Sequence, residues 1–207
     1  MTISRRCAVL GVVCALATVG RAQAPEVAVA PAAPRELLNS ERIQQKFGSY
    51  GIEVLASDAQ VRVANLYSTE LNRRVCRTFA VARYPPVIEP AFAAEHREIV
   101  NGGSIGAVFA AHGWRVAKTH LFFGEVEATP RLAELMGVAS GVRLAQHAYV
   151  LEVAKGVDVF TYAAIVEVHH PDYLVRDDLG AIYGTADAAG REALLAALLG
   201  TAAAAMR

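Results

Sequence analysis

VRLAQHAYVLEV (residues 142–153) and DVFTYAAIVEVH (residues 158–169) are joined by the four residues AKGV (154–157), and this stretch decides the fold. Each arm is rich in Val, Tyr, Ile and Phe and free of Gly and Pro, so each predicts a long strand. The short link containing Gly156 predicts a hairpin between them. Working back toward the N-terminus, Arg74–Tyr84 predicts another strand, stopped by Pro85-Pro86, which lack the amide hydrogens a ladder needs. Ile52–Leu55 and Val61–Tyr67 predict two strands around the turn-forming Ser57-Asp58-Ala59-Gln60, and Arg115–Phe123 alternates as a further one. Helices are expected between them: Ser40–Phe47 ended by Gly48, Phe92–Val100, Ser104–Ala111, and a helix from Thr129-Pro130 to about Met136. Strands follow one another through short turns while the helices sit in the connections. That order predicts an α+β domain, an antiparallel sheet with covering helices, and excludes strand–helix alternation of the doubly wound kind.

Two charged residues interrupt apolar strands: Arg77 in VCRTFAV (75–81) and Glu167 in YAAIVEV (162–168). Alternation places Arg77 on a face with Val75, Phe79 and Val81, and Glu167 on one with Thr161, Ala163 and Ile165. A charge on such a face needs a partner, because leaving it desolvated costs several kcal/mol. Two outcomes are open. Each residue is half of a structural ion pair, or the two line a cavity for an anionic or hydroxylated ligand.

The ends of the chain read differently from the middle. Arg5 and Arg6, the apolar run Cys7–Gly20 and Ala22-Gln23-Ala24 predict a signal peptide over residues 1–24, and hence an exported protein, periplasmic or secreted. The apolar run is short for a bilayer span, so no stable membrane anchor is expected once the leader is removed. Removal takes three of the 20 basic residues and none of the 20 acidic ones, leaving a net charge of −3 and no basic footprint for nucleic acid. Cys76 would then be the remaining cysteine, a buried apolar side chain in a domain without an internal disulfide. Residues 25–39 are an Ala/Pro-rich tether, 40–184 the folded domain, and 185–207 an Ala/Leu-rich tail or helix expected to add little to function.

Four stretches, in this order, resemble the chorismate lyase-like superfamily, which includes the UTRA effector-binding domains. They are the opening helix SERIQQKF (40–47), the strand holding Arg77, the small-residue lead GSIG (103–106) into a lid helix, and EVHHP (167–171) at a late strand end. The resemblance implies that Glu167 engages a ring hydroxyl and that an arginine holds a carboxylate. Either Arg77 or Arg62, on VRVA (61–64), matches that arginine. It also implies a reaction for the enzyme reading: removal of pyruvate from chorismate or a related enol-pyruvyl ether, with Glu167 and Arg77 as the catalytic pair and no cofactor.

Other constellations point elsewhere. His169 and His170 are adjacent on a strand and face opposite ways, so no metal site is expected from that pair. His147, beside Tyr149, reads as a hydrogen-bonded interior histidine, and Asn101–Gly106 as a hinge or tight turn. There is no phosphate loop, no nucleophile elbow and no paired-histidine zinc helix. The expectation is an exported, monomeric or weakly associating binding protein for a small organic ligand, a carboxylate or aromatic acid. The lyase and an assembly role in the envelope stand as alternatives, and whether the chain is an enzyme is left open.

Overall fold

The computed structural model describes residues 36–207. The leader, and the tether as far as residue 35, lie outside the described residues. The element order is α1 (Asn39–Phe47), β1 (Gly51–Ser57), β2 (Val61–Glu70), β3 (Arg73–Arg83), α2 (Ala93–Val100), α3 (Ile105–Ala111), β4 (Arg115–Glu127), α4 (Pro130–Met136), β5 (Arg143–Lys155), β6 (Asp158–His169), α5 (Arg176–Tyr183) and α6 (Glu192–Ala205). The strands form one sheet in the order β1-β2-β3-β6-β5-β4, with every neighbouring pair antiparallel. The protein is therefore α+β, and the hairpin of β5 and β6 lies inside the sheet. Among the described residues no helix is long and apolar enough to cross a membrane.

Alternation along the strands gives each face its own cover. On one side Phe79 and Val81 of β3, Leu144 and Ala148 of β5, and Val166 and Val168 of β6 pack against Leu132 and Met136 of α4 and Leu198 and Ala202 of α6. Helix α6 is thus part of the core: Leu198 is fully buried, and the Thr129 hydroxyl donates to the Met206 carbonyl. Of the tail or helix expected over residues 185–207, the structure shows a helix, docked on the sheet through Leu198 and that contact. On the other side α1 and α5 cover one end through Ile43, Leu179 and Tyr183. At the other end α2 and α3 bring Ile99, Val108 and Phe109 against Tyr149, Leu151 and Tyr162. The space between these two clusters holds the site.

Of the four register shifts in the sheet, two bear on the residues around the site. Between β2 and β3 the pairing steps from Leu66 opposite Thr78 to Tyr67 opposite Cys76, so Arg77 is an extra residue in a bulge. Cys76 therefore lies with Phe79 and Val81, and Arg77 turns to the opposite face. The expectation that Arg77 shares a face with Phe79 and Val81 is corrected by this one inserted residue. A second shift pairs Leu151 with Ala163 and Glu152 with Thr161. Tyr162 is buried by it and Thr161 is exposed, while Ala163, Ile165 and Glu167 stay inside as expected.

Candidate functional site

A cavity of about 70 Å³ opens on the α1/α3 side of the sheet. Its floor is shallow in side chain, because Ala64 of β2 and Ala80 and Ala82 of β3 present only methyl groups to it. The rim comes from Leu38 to Ser40 at the start of α1, Tyr50, and Ser104 to Gly106 at the start of α3. Gly106 gives these two segments their close approach. A Cβ there would come within 2.6 Å of the Leu38 side chain. The Tyr50 hydroxyl bonds the Ser104 hydroxyl at 3.1 Å and ties the rim together. Glu36 to Asn39, at the end of the tether in the sequence reading, are part of this rim and its supports.

Arg62 supplies the cavity with a cation. It is 2% exposed, lies opposite Ala82 in the β2–β3 register beside the Tyr84 hydroxyl, and its Nε and Nη2 make no hydrogen bond of normal geometry among the described residues. No ion pair to Arg62 occurs among the described residues. A guanidinium left this way costs several kcal/mol, and an anion in the cavity would offset that cost.

Glu167 stands across the floor from it. In register it is flanked by Ala80 on β3 and His147 on β5. Its Oε1 accepts from Asn39 Nδ2 at 3.0 Å, its Oε2 makes no hydrogen bond of normal geometry among the described residues, and the Tyr149 phenol lies beside the carboxyl. Burial pushes the carboxyl above its ordinary range, while Lys118 and the Asn39 bond pull the other way. Burial likewise drives the His147 imidazole far below its ordinary value, so it is neutral. Tyr149 lies beside them, its phenol held protonated by full burial.

The sequence reading did not find Lys118, Asn39 or Glu36. Lys118 Nζ lines the cavity, pairs with Glu36 Oε1 at 2.8 Å and stands 5.1 Å and 5.0 Å over the rings of Tyr149 and Tyr183. Glu36 also reaches His120 Nε2 at 3.3 Å, and His120 Nδ1 meets His147 Nε2 at 2.9 Å. Lys118 is one charged residue on an alternating edge strand, a pattern that a solvated lysine also gives. Its inward direction could be read only from α5, which covers it with Tyr183.

Arg77 is placed outside this cavity. Its Nε donates to Ser68 Oγ at 2.8 Å, its Nη2 pairs with Glu70, and its guanidinium lies 3.8 Å from the centre of the Phe47 ring. These contacts fix α1 to the bulge of β3. Of the sequence candidates, the structure brings Arg62 and Glu167 to one cavity and gives Arg77 a separate set of partners.

No family model matches the chain, and no curated protein is similar to it. Among solved structures it is similar to the ligand-binding domain of a GntR-family transcriptional regulator from Bordetella bronchiseptica, at 14% identity over 60% of this chain and 87% of that one, with a TM-score of 0.40. It is also similar to a GntR-family regulator from Enterococcus faecalis V583, at 14% identity over 61% and 92% of the two chains, TM-score 0.39. A third is the C-terminal domain of Yurk from Bacillus subtilis, at 16% identity over 60% and 87%, TM-score 0.35. Overlaps of this size leave the chemistry of the cavity to its own residues.

Proposed function

We propose that this protein binds a small organic anion in the cavity between the sheet and the α1 and α3 segments, with Arg62 holding the carboxylate and Glu167 accepting from a hydroxyl or amine at the other side. The observation that carries this reading is the buried Arg62 guanidinium with two unpartnered nitrogens on the cavity wall. The cavity is otherwise lined mainly by Leu, Ile, Ala and Tyr, which suits a compact apolar or aromatic body carrying the charge. Lys118 is already paired with Glu36, so of the two described cations that line the cavity Arg62 is the one free to take a ligand charge. An assembly role in the envelope has no comparable support, since a purely structural interior would fill this space with side chains. Export remains part of the proposal through the leader-like first 24 residues, and cell fractionation of the native host tests it separately.

Native mass spectrometry of protein purified from its own host, followed by thermal titration with 4-hydroxybenzoate and other small carboxylates, tests the binding reading. A retained small anion, or a carboxylate that raises the melting temperature of the wild type but not of Arg62→Met, supports it. No retained mass and no shift with any carboxylate would sink it. Incubation with chorismate extends the same experiment to the lyase reading: 4-hydroxybenzoate formed above the uncatalysed background would add catalysis to binding.

A further inference from the structure

His147, Glu167 and His169 form a second constellation beside the cavity, on the same face of the sheet. His147 and Glu167 are register partners on β5 and β6, and His169 lies two residues beyond Glu167 on the same face. One donor atom from each lies within 4.8 Å of the other two, and all three residues are buried. His147 Nδ1 is 4.0 Å from Glu167 Oε2, too far for a hydrogen bond.

The outer atoms of the three side chains are all held. His169 Nδ1 meets Thr78 Oγ1 at 3.1 Å, Glu167 Oε1 accepts from Asn39 Nδ2 at 3.0 Å, and His147 Nε2 meets His120 Nδ1 at 2.9 Å. The inner atoms, His169 Nε2, Glu167 Oε2 and His147 Nδ1, make no hydrogen bond of normal geometry among the described residues. Hydrogen-bond direction follows from the ends of the network. Glu36 Oε2 lies 3.3 Å from His120 Nε2, and a neutral His120 that donates there uses Nδ1 to accept from His147 Nε2. Asn39 gives one amide hydrogen to Thr78 and one to Glu167, while its oxygen accepts from the Tyr173 hydroxyl at 2.5 Å. Thr78 Oγ1 can accept from His169 Nδ1 as well. With these tautomers the three inner atoms are acceptors that make no hydrogen bond to one another, and the Tyr149 phenol lies beside the Glu167 carboxyl. Neutral imidazoles oriented by a second hydrogen bond, together with an oriented carboxylate, are the donor arrangement of a metal site.

We propose that His147, Glu167 and His169 bind a divalent transition-metal ion of the zinc class, leaving a fourth coordination position for water or a ligand. Two imidazole nitrogens and one carboxylate oxygen suit such an ion, which is bound at about 2.0–2.2 Å in tetrahedral geometry. Ligand atoms in that geometry are about 3.3 Å apart, so closing from at most 4.8 Å takes side-chain rotation without strand movement. The proposal stands on the β5–β6 geometry and does not depend on the anion reading; the ion would add a second point of attachment for a ligand held by Arg62.

The test uses the untagged full chain, stripped with chelator and titrated with Co²⁺ while the visible spectrum is followed, then with Zn²⁺ in competition. One equivalent of Co²⁺ with the intense bands of a four-coordinate site, displaced by Zn²⁺, is expected. His169→Ala should abolish that spectrum, and His112→Ala, far from the cluster, should leave it unchanged. Thr78→Val removes the partner of His169 Nδ1 together with one of the two acceptors of the Asn39 amide, and should weaken Co²⁺ affinity by roughly 10- to 100-fold while the circular dichroism of the metal-free chain is retained. Arg62→Met should bind Co²⁺ as the wild type does, which separates failure of this site from failure of the anion site. Absence of a one-equivalent complex would overturn the proposal. So would a spectrum that survives Thr78→Val with undiminished affinity, or one that disappears in His112→Ala.

Discussion

Ala80 stands directly opposite Glu167 in the β3–β6 register, and His147 stands opposite it on the other side. A methyl group on one flank and a neutral imidazole on the other leave the Glu167 carboxylate without a cation in hydrogen-bond contact. Asn39, from α1, is the group that bonds it. The strand register that builds the sheet thus also leaves the space into which Glu167 and Arg62 face.

The two arginines should respond in opposite ways to the same change. Arg62→Met removes a buried charge with unpartnered nitrogens, so stability in urea melts should hold or rise by about 1–3 kcal/mol, while carboxylate binding is lost. Arg77→Met breaks the ties to Ser68, Glu70 and the Phe47 ring, and should cost roughly 1–3 kcal/mol with little effect on affinity. Destabilisation by Arg62→Met alone would return Arg62 to the scaffold.

Glu167→Gln keeps an oxygen for Asn39 and removes the charge. The variant should fold, and ligand affinity measured by calorimetry should weaken by about 1.5–3 kcal/mol, the usual contribution of a charged hydrogen bond. A large drop in melting temperature without ligand would identify the carboxylate as structural.

Filling the floor should abolish binding without touching either charge. Ala82 lies between Arg62 on β2 and Ile165 on β6, and Ala82→Leu would project into the cavity. The expected variant is folded by circular dichroism and shows no carboxylate-induced thermal shift. Retained affinity would place the ligand elsewhere.

Burial pushes the Cys76 thiol up to about 12, so almost no thiolate exists in the folded protein near neutral pH. A thiol reagent at pH 8 should leave the native chain unlabelled at Cys76 and modify it in denaturant. Fast native labelling at that residue would contradict its place in the core beside Phe79 and Val81.

Helix α6 should matter to folding. Leu198 is fully buried against the sheet, so Leu198→Ala should cost about 2–5 kcal/mol in a denaturant melt. A cost below about 0.5 kcal/mol, the range of ordinary surface substitutions, would show that the helix is a dispensable tail.

The residue pattern by itself determined the antiparallel α+β class, the long β5–β6 hairpin, the glycine stop after α1, the proline-led start of α4 and the inward direction of Glu167. These follow from local rules: period-two alternation, turn chemistry and capping act within a few residues. Helix α5 was not legible, because its eight residues include Gly180 and its helicity depends on Leu179 and Tyr183 reaching the sheet. Only the tertiary structure decided which arginine faces the cavity, since one inserted residue in β3 turns Arg77 toward Phe47 while Arg62 keeps the unbroken register of β2. Only it brought Asn39 from α1, Lys118 from β4, His147 from β5 and Glu167 from β6 to one place. Pairing of strands distant in the chain sets those neighbours, and no local pattern encodes which residue will stand across a ladder from which.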